Sequence, residues 1–178
     1  MTEDLPLAHS YNLARLGNAG DDVRFSADEA ERGRIAKWTD IQSVEKLDVR
    51  VRIQKLETNR FGLAFDLDAD VTQSCVVTLE PVPAHIQHSF SRELVFVGPS
   101  RHRADEAKKQ AAESEIVVDL EEGPEEITSL HLDLAAPVLE EFVLCLDPYP
   151  RRPDVEFSPE TGDSAPPDSP FAVLKGLK

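Results

Sequence analysis

The chain has 178 residues, with 34 Asp and Glu against 19 Lys and Arg, for a net charge of −15. That length suits one domain with a real core and some chain to spare, and the negative field opposes a broad contact with a phosphate backbone. No basic, apolar leader opens the sequence and no stretch is apolar for the length of a membrane span. With only two cysteines, Cys75 and Cys145, a disulfide framework is not expected, and the reading is a cytoplasmic protein with no membrane partner.

In chain order, Tyr11, Leu13, Leu16, Val23 and Phe25 form a sparse apolar string around Gly17 and Gly20, which predicts one short strand docked on the domain. Ser26 and Glu29 have the spacing of a capping box and predict a helix over about 27–38. Thr39 and Gln42 repeat the signal, and Ile41, Val44 and Leu47 at steps of three predict a second short helix through Lys46. The period then becomes two. Leu47, Val49, Val51 and Ile53 alternate with Asp48, Arg50, Arg52 and Gln54, and Phe61, Leu63, Phe65 and Leu67 repeat the pattern after a turn at Thr58-Asn-Arg60. This predicts an antiparallel hairpin. A third strand is expected over about 70–79, a break at Glu80-Pro81-Val82-Pro83, and a fourth strand from about Ala84 to Val97.

Residues 101–115 are highly charged with almost no apolar face and read as a mobile loop, about 100–115. A short strand is expected over 116–120, then an acidic turn around Gly123-Pro124 with Ile127 as one more paired residue. Asp133 is placed to cap a helix with Leu134, Val138, Phe142, Cys145 and Leu146 on one face, stopped by Asp147-Pro148. Residues 154–169 are rich in proline and poor in apolar side chains, which predicts a disordered linker. It leads to an amphipathic ending in which Pro170, Phe171, Val173, Leu174 and Leu177 look like a docking peptide. The fold expected is α+β: an antiparallel meander or partly closed, barrel-like sheet, two short N-terminal helices and one helix after the sheet. Residues 1–153 form the domain and 154–178 the tail.

No arrangement of residues supports a catalytic centre, a cofactor, a metal or a small-molecule substrate. Cys75 opens a Cys-x-x frame whose closing position holds Thr78, and Cys75, Cys145, His85 and His88 match no zinc spacing. His85 and His88 are three apart on a predicted strand and so on opposite faces. Both cysteines read as small buried hydrophobes. Arg50, Arg52, Lys55 and Arg60 are the best electrostatic candidates for RNA contact, weighed against a solvated face balanced by Asp48 and Glu57 and lacking aromatic stacking partners. Arg101, Arg103, Lys108 and Lys109 make a second, weaker set.

Ser74-Cys-Val-Val-Thr-Leu-Glu-Pro81 resembles the central motif of the YceD family, the large ribosomal RNA subunit accumulation proteins, in which two cysteines two residues apart precede Leu-Glu-Pro or a close variant. The likeness continues through a strand ending in Phe96-Val97, an acidic stretch, a helix over 132–146, Pro148-Tyr-Pro150 and a terminal Pro-Phe-Ala-Val-Leu-Lys at 170–175. It implies a bacterial, noncatalytic ribosome-assembly factor supporting synthesis, processing or stability of the large-subunit (23S) ribosomal RNA. Its partners would be the pre-ribosomal large subunit, its RNA, or a basic ribosomal protein. The alternative is an acidic interaction module or chaperone for a basic protein that never touches RNA. Only Cys75, Leu79, Glu80 and Pro81 carry over as motif positions. Thr78 stands where the second family cysteine falls, so no zinc or redox role for that pair transfers.

Overall fold

The computed structural model describes residues 5–98 and 123–153. The predicted loop at 100–115, the strand at 116–120, Arg101, Arg103, Lys108 and Lys109, and the whole of 154–178 lie outside the described residues. The elements are β1 (Ser10–Asn12), a 3-10 turn (Leu13–Arg15), β2 (Asp21–Ser26), α1 (Glu29–Trp38), β3 (Ser43–Glu57), β4 (Arg60–Ser74), β5 (Pro81–Phe96), β6 (Glu125–Ile127), β7 (His131–Asp133) and α2 (Ala135–Cys145). Strands β2-β3-β4-β5-β6 form one sheet in that order, and β1 pairs with β7 in a separate two-stranded ribbon. All pairings are antiparallel except β5 with β6.

The alternation read from the sequence sets the sheet's two faces. Val51 is registered opposite Phe65 and Ile53 opposite Leu63, and Phe65 in turn faces Phe90, with the two rings stacked at 4.6 Å. Odd-numbered residues of β4 from Phe61 to Gln73 are buried, and even-numbered ones are half-exposed on the other face. The buried face is covered by Ile35 and Ala36 of α1, by Leu134, Ala135, Val138, Leu139 and Phe142 at α2, and by Leu7 and Leu13. No helix among the described residues is long and apolar enough to cross a membrane.

Several expectations are corrected. The chain start gives two strands in different sheets, β1 and β2, where one was expected. Between them Gly20 takes φ +78, and a Cβ there would lie 2.7 Å from the Ile53 carbonyl oxygen, so the turn requires glycine. Ser26 ends β2 opposite Asp48, and the capping box forms two residues later, between Asp28 and Glu31. The second N-terminal helix is absent: α1 ends at Thr39, Asp40 turns the chain at φ +56, and β3 has begun by Ser43. The step of three from Val44 to Leu47 belongs to a β-bulge between Val44 and Lys46, which keeps both apolar side chains buried.

The expected second and third strands are one strand, β4, so the meander has three long strands instead of four. Among the described residues the sheet is open, because β2 and β6 are its edges and do not pair with each other. Pro81 and Pro83 lie inside β5 opposite Ser74 and Thr72. They are tolerated because β6 reaches only Leu94 to Phe96, and the rest of that side of β5 has no strand neighbour among the described residues. A helix does follow the sheet, but its N-cap is Leu134, which makes no side-chain cap bond; Asp133, one residue earlier, accepts from the Ala135 N–H at 3.0 Å.

Phe65→Ala and Phe142→Ala should each destabilise the protein by about 3–5 kcal/mol in urea unfolding. Leu144→Ala, at a side chain 77% exposed, should change it by no more than about 0.5 kcal/mol.

Candidate functional site

The family-like motif is the hairpin loop that joins β4 to β5. Cys75 closes it at both ends, its N–H donating to the Glu80 carbonyl at 2.8 Å and its carbonyl accepting from the Leu79 N–H at 2.9 Å. To make that turn Leu79 adopts φ +62, a left-handed conformation that costs a side chain with a Cβ about 1–2 kcal/mol, and its side chain is 76% exposed. Leu79 is thus a bulky apolar side chain held in a costly conformation and turned to solvent.

The segment following α2 straps this loop in place. The Val76 N–H donates to the Pro150 carbonyl at 2.9 Å, and the buried Gln73 side-chain amide donates to the Asp147 carbonyl at 2.9 Å. Arg152 donates to the Glu80 carboxylate at 2.5 Å, joining residues 72 positions apart. The loop thus presents Leu79 and Val76 while the strap presents Tyr149, and all three are exposed.

Beneath the loop Cys75 is fully buried and forms no disulfide. Its sulfur accepts from the Thr78 hydroxyl and then from the backbone N–H groups of Arg152, Thr78 and Val77. These donors outweigh burial and bring the thiol from an ordinary 9.0 down to about 6. Thr78 has a single hydroxyl proton, shared between this sulfur and the Glu80 carboxylate 3.3 Å away. The residue standing in place of a second cysteine therefore contacts the first through a hydrogen bond. Cys145, on α2, has the opposite environment, where burial and then the charge of Glu141 push its thiol up.

The expected RNA-contact residues are not all on one face. Arg50, Arg52 and Arg60 leave from the exposed face of the sheet, whereas Lys55 is registered opposite the buried Phe61 and leaves from the core side at the hairpin end. Each arginine has a carboxylate partner: Arg50 with Asp22 (2.9 Å), Arg52 with Asp66 (3.1 Å) and Arg60 with Glu93. Lys46, on the same face, is 2.6 Å from Asp68. The hydrogen bond from Arg50 holds Asp22 below its usual range, and that from Lys46 does the same for Asp68. His85 and His88 are on opposite faces, as the spacing predicted, the first 2.6 Å from Asp70 and the second 3.3 Å from Glu141 of α2.

Sequence reading missed the strap, the Arg152–Glu80 pair and the conformation of Leu79. The only signal for them was the short distance from a strand end to Leu-Glu-Pro, which announces a tight turn without naming what holds it. Pro170, Phe171, Val173, Leu174 and Leu177 lie outside the described residues.

Residues 63–178 match the family model described as "Large ribosomal RNA subunit accumulation protein YceD". No curated protein and no solved structure matches the chain. The matched segment takes in most of β4, the Cys75–Glu80 loop, α2 and the strap, and it leaves out Arg50, Arg52, Lys55 and Arg60.

Two measurements check this geometry. A group whose acidity is raised by folding adds stability above its unfolded pKa and loses it as pH falls through the folded value. Thiolate formation at Cys75 should therefore make the protein more stable as pH rises from about 6 to 9.0, and Cys75→Ser should flatten that slope in urea unfolding. Leu79→Gly should relieve the left-handed conformation and, after the added freedom of glycine in the unfolded chain, raise stability by about 0.5–1 kcal/mol.

Proposed function

The chain belongs to the YceD family of large ribosomal RNA subunit accumulation proteins, and from that premise we propose that it is a noncatalytic assembly factor that works through the Cys75–Glu80 loop and its strap. The observation that carries this reading is Leu79, a strained, exposed apolar side chain inside the family-matched segment and braced from two directions. The loop offers apolar contact, the chain carries a net charge of −15, and together they suit a basic protein of the large-subunit precursor. The activity proposed is binding, with no bond made or broken.

Direct contact with RNA through Arg50, Arg52 and Arg60 is the second reading, favoured by their common face. It is the weaker one, because each guanidinium already has a carboxylate partner that RNA would have to displace, and because these positions precede the matched segment.

Depletion in cells that use this protein should lower large-subunit RNA relative to small-subunit RNA. A Leu79→Asp copy should fail to restore the ratio, whereas Arg50→Glu with Arg52→Glu should restore it to within about twofold. Loss of rescue by the arginine pair, with rescue retained by Leu79→Asp, would reverse the two readings. An unchanged ratio on depletion would remove both.

A further inference from the structure

A second concave surface lies away from the loop, where the β5–β6 edge meets β7 and the start of α2. It encloses about 390 Å³, with Phe65, Leu94, Ile127, Leu132 and Pro137 among its walls and Glu125, Asp133 and Glu140 on its rim. Among the described residues Arg92 is the single cation lining it, and it is already paired with Glu140 and Glu141 of α2. The site is therefore an apolar floor under an acidic rim, which selects an apolar segment carrying positive charge.

The chain contains such a segment. Residues 170–178 hold Phe171, Val173, Leu174 and Leu177 together with Lys175 and Lys178, and no acidic residue. They follow the last described residue, Pro153, after 16 residues, 154–169, a covalent reach of up to about 55 Å. That spans a domain of this size, and tethering makes docking intramolecular, at effective concentrations on the order of millimolar. We propose that residues 170–178 dock in this groove, with Phe171 entering the apolar floor and Lys175 and Lys178 meeting the rim carboxylates. This goes beyond the loop-based function and does not depend on it, since groove and loop are separate surfaces.

The test uses the full chain with a photo-crosslinking benzoylphenylalanine in place of Phe171, irradiated in dilute solution and mapped by mass spectrometry. Same-chain adducts at Leu94 or within residues 125–137 are expected, with their yield falling at least about fivefold in a Lys175→Glu, Lys178→Glu background. Adducts at Leu79 or Tyr149, adducts to a second copy, or no adduct would each overturn the proposal. Urea unfolding of the charge-reversed chain, expected at an unchanged midpoint, separates loss of docking from loss of folding.

Discussion

Everything in this domain hangs on the register of β4. Its odd-numbered side chains from Phe61 to Gln73, continued by Cys75, form the central stripe of the core, and a slip of one residue would turn every one of them to solvent. Because β4 pairs along its length with both β3 and β5, its register also fixes which charges share the exposed face and where the hairpin loop begins. The Arg52–Asp66 pair, the core face that the helices cover and the start of the Cys75 turn are consequences of one alternation, while Arg50–Asp22 adds the β2–β3 register.

That alternation was legible in the sequence because period two over a long run has few competing explanations. The step of three at Ile41, Val44 and Leu47 was not, since a β-bulge and a helix place apolar residues at the same spacing. Proline is ambiguous in a similar way: Pro81 and Pro83 argue against a central strand, yet among the described residues no strand pairs with that side of β5 before Leu94, so no donor is needed from them. The arginine face was recognised as charged, but a strand's sequence does not name the residues on its neighbours. Asp22, Asp66 and Glu93 could be assigned only once the register was known. The strap is the extreme case, since Glu80 and Arg152 are joined solely by tertiary structure.

Thr78 sets the chemistry of the loop through its hydroxyl. A second thiol at this position would bring a second soft ligand beside Cys75, and threonine brings a hydrogen-bond donor to the same sulfur. The turn is closed by the paired Cys75, Leu79 and Glu80 backbone contacts, and Leu79 projects outward. In this member of the family the loop is a shaped apolar surface over a buried, hydrogen-bonded sulfur.

The most direct measurement of that account is a photo-crosslink placed at Leu79 in the full protein in growing cells, with adducts recovered and divided into protein and RNA. Adducts to a basic protein of the large-subunit precursor are expected. Adducts confined to RNA, or none while the protein co-sediments with precursors, would contradict it.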